Sequence, residues 1–215
     1  MEMKRQYNAE MESILRNLET GSLQTGNFSA HVKPSLLLHS CCGPCSTAVL
    51  ERLIPYFQVT LFYYNPNIIP VQEYQKRLSE QRRLLDEQNG RVGFLEGAYE
   101  PDRFLTYIKG FEDEPEGGKR CERCFALRME ETARIGREKG YDLFTTTLTV
   151  SPHKNAQKVN EACEKAAERY GVAALPADFK KRGGYQRSLE LSREFDLYRQ
   201  RFCGCPFSAK PADKI

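Results

Sequence analysis

Three leucines, Leu36 to Leu38, run directly into His39-Ser40-Cys41-Cys42-Gly43-Pro44-Cys45. A continuous apolar run of this kind predicts a strand buried on both faces of a sheet. From Ser46 to Leu53 the apolar residues Ala48, Val49 and Leu53 recur at helical spacing, so a helix is expected next. The order is strand, thiol-rich turn, helix. In an open α/β sheet such a turn lies at the carboxyl edge of the strands, where ligands bind. Three thiols placed there are available for chemistry.

The rest of the chain repeats the alternation. Strands are expected at Gln58 to Tyr64, Arg91 to Leu95, Asp142 to Thr147 and Val172 to Leu175. Between them, helices are expected at Val71 to Gln88, Asp102 to Lys109, from Cys124 to Lys139, and from a cap at Ser151-Pro152-His153-Lys154 to about Tyr170. A last helix is expected from about Ser188 to Arg201. Strands alternating with helices imply βαβ units and a mostly parallel, Rossmann-like sheet. Residues 1–33 read as an N-terminal extension, a polar amphipathic helix followed by a connector from Gly21 to Lys33. Residues 34–215 read as one catalytic domain.

A chain of 215 residues buries a core without help from disulfides. The start, Met1 to Tyr7, is charged and lacks the apolar segment of a signal peptide. No apolar run approaches the ~20 residues needed to cross a bilayer. A cytoplasmic protein is therefore expected. Eight cysteines in that setting point to metal or redox work rather than structural disulfides. The net charge of +3 permits an acidic partner without requiring one.

Cys41, Cys42 and Cys45 share one turn, and Cys121-x-x-Cys124 sits at a helix start. A two-residue spacing lets two thiolates reach one metal centre. A helix N-terminus also favours the thiolate that a metal needs. The adjacent pair Cys41-Cys42 is awkward for a zinc knuckle but can donate to different irons of one cube, which favours iron–sulfur over zinc. Cys203-Gly204-Cys205 could close a small, strained and readily reduced disulfide, suited to an electron relay, or could form a second metal pair. Cys163, among Ala162, Ala166 and Ala167, reads as core. His39 and His153 are candidate proton donors or hydrogen-bond orienters. Lys180, Lys181, Arg182 and Tyr185 form a basic loop with one aromatic, a mixture that suits phosphate contact and base stacking.

Taken together, these blocks resemble the QueH type of epoxyqueuosine reductase. The matching residues are His39 to Cys45, Asn65-Pro66-Asn67-Ile68 with Glu73-Tyr74, Cys121 to Cys124, Thr145 to Leu148 with Ser151 to Lys154, Asp178 to Lys181, Gly184-Tyr185, Tyr198-Arg199-Gln200 and Cys203 to Cys205. They span residues 36–208 in order and leave the N-terminal extension outside. The resemblance implies reduction of the epoxide of epoxyqueuosine at the wobble position of tRNA, the last step of queuosine synthesis. It implies a [4Fe-4S] cluster held by Cys41, Cys42, Cys121 and Cys124. It also implies a second, mononuclear metal (iron), for which Cys45 is the candidate ligand, and a redox-active disulfide of Cys203 and Cys205. The electron donor stays unidentified. The fold implied is like that of the adenine nucleotide α-hydrolase superfamily. A thiolating, adenylating enzyme of that superfamily would need a phosphate-binding loop after the first strand, and Pro44 removes an amide such a loop uses. A non-catalytic zinc-binding RNA module would be colourless and free of iron.

Overall fold

Five parallel strands form the centre of the molecule, which in this computed structural model is described for residues 5–20 and 33–208. They are β1 (Ser35–Ser40), β2 (Gln58–Tyr63), β3 (Gly93–Glu96), β4 (Leu143–Thr146) and β5 (Ala173–Ala174), in the sheet order β3-β2-β1-β4-β5. Every neighbouring pair is parallel. The helices are α1 (Tyr7–Glu19), α2 (Gly43–Leu53), α3 (Val71–Asp86), α4 (Pro101–Tyr107), α5 (Lys119–Glu138), α6 (Ala156–Tyr170) and α7 (Gly184–Glu194).

The leucine run is divided between two apolar layers by the two-residue period of a strand. Leu36 and Leu38 face one layer with Val49, Leu50, Leu53 and Leu61. Leu37 faces the other with Phe62, Met129, Phe144, Val159 and Cys163. Each buried leucine contributes about 2 kcal/mol through the area it removes from water. Met11 and Leu15 of α1 belong to the first layer, so the N-terminal helix shares the main core. The expected connector at Gly21 to Lys33 lies, apart from Lys33, outside the described residues.

Several element boundaries differ from those expected, among them the start of α5 at Lys119, and the differences in α2, α6 and α7 bear most on the site. Helix α2 begins at Gly43 rather than Ser46, with Pro44 in its first turn, where a missing N–H costs nothing. Cys45 is thereby carried on the helix. Helix α6 is capped by Asn155, whose Oδ1 accepts from the amides of Gln157 (2.9 Å) and Lys158 (3.3 Å). Ser151 to Lys154 is therefore a loop rather than a cap.

The last helix starts at Gly184 and ends at Glu194, not Arg201. Asp196 turns left-handed (φ 46°), and the Leu197 amide donates to the Ser192 carbonyl at 2.8 Å, closing the helix end. The chain beyond is then free to cross α3. The guanidinium of Arg77, 2 % exposed, donates to the carbonyls of Cys203 (2.9 Å) and Phe202 (3.2 Å) while pairing with Glu73 (2.6 Å). The Tyr198 amide donates to Glu80 at 2.7 Å. Gly204 (φ +96°) packs so tightly that a Cβ there would lie 2.9 Å from Ile68 Cγ1, and its carbonyl accepts from the Ile69 amide at 2.9 Å.

Candidate metal and redox site

The strand order reverses between β1 and β4, and an open parallel sheet leaves a crevice at the carboxyl end of such a switch point. Cys41 and Cys42 leave β1 there, beside Thr146 and Thr147 at the end of β4. The Cys41 amide donates to Thr147 Oγ1 at 3.2 Å, and the Thr147 hydroxyl donates to Cys41 Sγ at 3.4 Å. Cys45 joins them from the first turn of α2. The three sulfurs all lie within 4.8 Å of one another, and those of Cys41 and Cys42 are 3.8 Å apart. Two thiolates sharing one tetrahedral ion at a bond length of about 2.3 Å stand about 3.8 Å apart. The structure thus groups Cys45 with Cys41 and Cys42, as their shared turn implies.

The trio concentrates one negative charge. Hydrogen bonds from Cys42 and Cys45 hold the Cys41 thiol well below its usual range, with Thr147 and Lys154 helping. Cys42, which donates to Cys41 and is buried, is pushed up to about 12, and Cys45 is raised for the same reasons. Cys41 is therefore the thiolate of the group. The Gln200 amide Nε2 donates to Cys42 Sγ at 3.1 Å, so the C-terminal tail reaches this group directly.

A second group of thiols faces the first. Cys121 and Cys124 sit in the opening turns of α5, and Cys121 Sγ accepts from the Gly117 amide at 3.2 Å. Burial pushes Cys124 up to about 11. Cys203 and Cys205 come from the tail. Both are free thiols, so the disulfide expected between them is not formed in this structure. Their surroundings differ. Burial pushes Cys203 up, but Lys154, Arg128 and Arg77 outweigh it and hold the thiol below its ordinary value. Lys154 Nζ lies 3.7 Å from its sulfur. Cys205 packs with Phe104, Ile108 and Leu127, and burial pushes it up to about 12. The two thiols are thus unlike, Cys203 being the more acidic and Cys205 the less.

Two cavities connect these groups. The larger, about 410 Å³, is lined by Cys41, Cys45, Asn65, Asn67 and Tyr185 among others. The smaller is lined by Cys121, Cys124 and Cys205. Arg128, His153, Lys154 and Cys203 line both.

The two histidines part company. His39 is 0 % exposed; its Nε2–H donates to the Tyr64 carbonyl at 3.0 Å, and its Nδ1 lies 2.9 Å from the Thr146 hydroxyl. That hydroxyl in turn accepts from the Leu148 amide. His39 is an orienter of the β4 end and lines neither cavity, so it is not placed to donate a proton. Burial holds its pKa down at about 3. An unfolded histidine titrates near 6.5, so this group favours the folded state fully above that pH. The contribution is lost as pH falls from 6.5 toward 3, at up to about 1.4 kcal/mol per pH unit. In urea unfolding, His39→Asn should lose less stability between pH 7 and pH 5 than wild type does, by about 2 kcal/mol. Equal losses would show that His39 does not fold in neutral form. His153, by contrast, is exposed and lines both cavities.

The basic loop is partly committed to internal pairs. Lys180 Nζ lies 2.8 Å from Asp178, an ion pair without hydrogen-bond alignment, and Arg182 lies 3.3 Å from Glu12. Lys181 is exposed. Tyr185 starts α7 rather than ending a loop, packs on the core, and lies 5.6 Å beneath the Arg199 guanidinium.

Sequence reasoning did not single out Lys154 or Arg128 as site residues, nor Arg77. Lys154 stood in the block Ser151 to Lys154, and the missing signal was its position in a loop beside Cys203. Arg77 and Arg128 fall on helices where arginine ordinarily marks solvent. Cys163 is buried in the core, as its alanine-rich surroundings imply.

Among the described residues, no helix is long and apolar enough to cross a membrane. The family described as epoxyqueuosine reductase QueH matches residues 36–211. The chain is 43 % identical over 183 residues to the epoxyqueuosine reductase QueH of Streptococcus pyogenes serotype M1, covering 83 % of this chain and 72 % of that one. It is 37 % identical over 175 residues to the epoxyqueuosine reductase QueH of Thermotoga maritima, covering 81 % and 90 %. A solved structure, the U34-tRNA thiolase NcsA from Methanococcus maripaludis with its [4Fe-4S] cluster, is similar at 13 % identity with a TM-score of 0.44, over 95 % of this chain and 69 % of that one. A likeness at that level decides nothing about this site.

Proposed function

The chain belongs to the epoxyqueuosine reductase QueH family, and from that premise we propose that it reduces the epoxide of epoxyqueuosine in tRNA to the alkene of queuosine, within the thiol-lined cavity at the sheet edge. The observation that carries the placement is the convergence of two thiol groups and two cations, Lys154 and Arg128, on one pair of adjoining cavities.

The donor set fits an iron–sulfur group. It consists of thiols alone, already charged at Cys41, with a buried guanidinium nearby whose Nη2 has no partner. Cys41, Cys42, Cys121 and Cys124 would hold a [4Fe-4S] cluster, and Cys45 would serve a second, mononuclear iron beside it. Such a centre, when bound, supplies one-electron transfer and a Lewis acid for the epoxide oxygen.

The overall reaction takes two electrons and two protons, breaks both C–O bonds of the epoxide, forms the alkene and releases water. Oxidation of the Cys203 and Cys205 pair to a disulfide yields the two electrons and the proton of Cys205; the second proton, which Cys203 gives up when it ionises, is taken from solvent. Lys154 favours the thiolate of Cys203, the form that attacks and exchanges. Cys205 keeps its proton until the disulfide forms. An external dithiol or one-electron carrier restores the pair. Arg77 fixes the peptide that bears Cys203, so the sulfur is held against both cavities.

The tRNA would lie over the cavity that Tyr185 lines, with the exposed Lys181 four residues before it in the chain. Changing Lys180, Lys181 and Arg182 together to alanine is expected to weaken tRNA binding several-fold and to flatten its dependence on salt. Lys181 is expected to account for most of the effect, because the other two already have acidic partners. Filter binding across a salt series measures this, and an unchanged salt slope would take the loop out of the RNA interface.

The reading is tested by incubating anaerobically reconstituted protein, a reductant and tRNA carrying epoxyqueuosine, then measuring nucleoside masses. Loss of one oxygen from the modified nucleoside is expected. A colourless, zinc-loaded protein that binds the tRNA and leaves the mass unchanged would identify a binding module instead.

A further inference from the structure

Arg128 lies one helical turn after Cys124 on α5 and is 1 % exposed. Its Nε donates to the Cys124 carbonyl at 3.3 Å, and its Nη2 has no hydrogen-bond partner. Arg77, as deeply buried, has a carboxylate and two carbonyls around its guanidinium. Among the described residues no carboxylate pairs with Arg128; Glu116 lines the same two cavities without forming an ion pair to it. An uncompensated buried charge costs several kcal/mol, and arginine cannot escape that cost by losing its proton. Arg128 is part of the wall common to both cavities, which the thiols of Cys41, Cys121, Cys124 and Cys203 also line.

We propose that Arg128 is the buried counter-charge of the thiol-held cofactor, a positioning residue that sets the reduction potential of the centre. The inference rests on the reading of this site as a metal–thiolate centre. Four thiolates around an iron–sulfur core leave excess negative charge, which disfavours adding an electron. A fixed, desolvated positive charge between the two thiol groups makes that electron easier to add. The same charge stands uncompensated when the thiols are protonated and metal-free. Arg128 therefore favours the loaded fold and opposes the empty one.

That opposition in sign gives the test. Wild type, Arg128→Met and Arg128→Lys are compared in metal-free and anaerobically reconstituted forms, by thermal unfolding and by redox titration of the centre's absorbance. Metal-free Arg128→Met is expected to melt at or above metal-free wild type, with a smaller rise in Tm on reconstitution. Its midpoint potential should be lower than that of wild type, and Arg128→Lys should recover most of the difference. If Arg128→Met does not fold, Arg128→Gln replaces it. Equal potentials in wild type and the neutral variant overturn the inference, as does a shift that Arg128→Lys reproduces in full, because the effect then follows shape rather than charge. Failure of wild type to take up iron and sulfide overturns the underlying reading of the site, and is visible before any variant is compared.

Discussion

Cys41→Ala is expected to purify anaerobically with little iron and no measurable turnover. Cys41 is the thiolate of its trio: Cys42 and Cys45 donate to it, as does Thr147, and its amide is fixed to the end of β4. Removing it takes away one ligand and the anionic acceptor around which the other two sulfurs are grouped. Structural zinc in zinc-finger peptides, the nearest measured scale, is worth about 10–16 kcal/mol. One ligand of four is then worth roughly 3 kcal/mol, or about a hundredfold in affinity. Cys42→Ala, Cys121→Ala and Cys124→Ala should lose iron in the same way. Cys163→Ala is the control, because Cys163 is sealed in the core and pushed up to about 12 by burial. It should keep its iron and lose only a little stability. Full iron content in all four ligand variants would overturn the ligand set.

The second large effect is expected at Cys203. Cys203→Ser should keep the cluster absorbance and tRNA binding yet lose multiple turnover, leaving at most a first turnover if electrons can reach the centre directly. The reason is the asymmetry of the pair. Lys154, Arg128 and Arg77 hold Cys203 below its ordinary pKa against burial, whereas burial keeps Cys205 protonated at about 12. The more acidic thiol of such a pair is the one poised to attack and exchange. Lys154→Met removes the nearest cation, 3.7 Å from the sulfur. It should slow alkylation of Cys203 at neutral pH by about tenfold for each unit by which the thiol rises. Alkylation followed by mass measurement, before and after oxidation, reads both effects. If Cys203 and Cys205 stay alkylatable after oxidation and Cys203→Ser turns over normally, the pair carries no electrons.

The strand, thiol turn and helix were legible because they depend on local patterns. The leucine run must be covered on both faces, and the spacing of Ala48, Val49 and Leu53 can only be helical. The grouping of Cys41, Cys42 and Cys45 was legible in their shared turn. Less legible was that α2 begins at Gly43 and carries Cys45, because a Gly-Pro start looks in sequence like the end of a turn. Arg128 and Lys154 were invisible for a different reason. A charge on an amphipathic helix or in a polar loop ordinarily faces water; only the packing of α5 buries Arg128, and only the returning tail brings Cys203 to Lys154. The tail itself depends on Asp196 turning left-handed and Leu197 docking into the core, which no periodicity announces. His39 illustrates the limit most simply. A histidine between a strand and three cysteines fits a proton donor or an orienter equally well until its burial and its two partners are known.

The central claim is that thiols from β1–α2 and from α5 hold one iron–sulfur centre at the sheet edge. Diffraction from crystals of the anaerobically reconstituted protein, recorded on either side of the iron absorption edge, tests it most directly. The account predicts iron signal bonded to the sulfurs of Cys41, Cys42, Cys121 and Cys124. Iron bound only by Cys41, Cys42 and Cys45, with Cys121 and Cys124 free, would contradict it, and so would a signal that appears at the zinc edge instead.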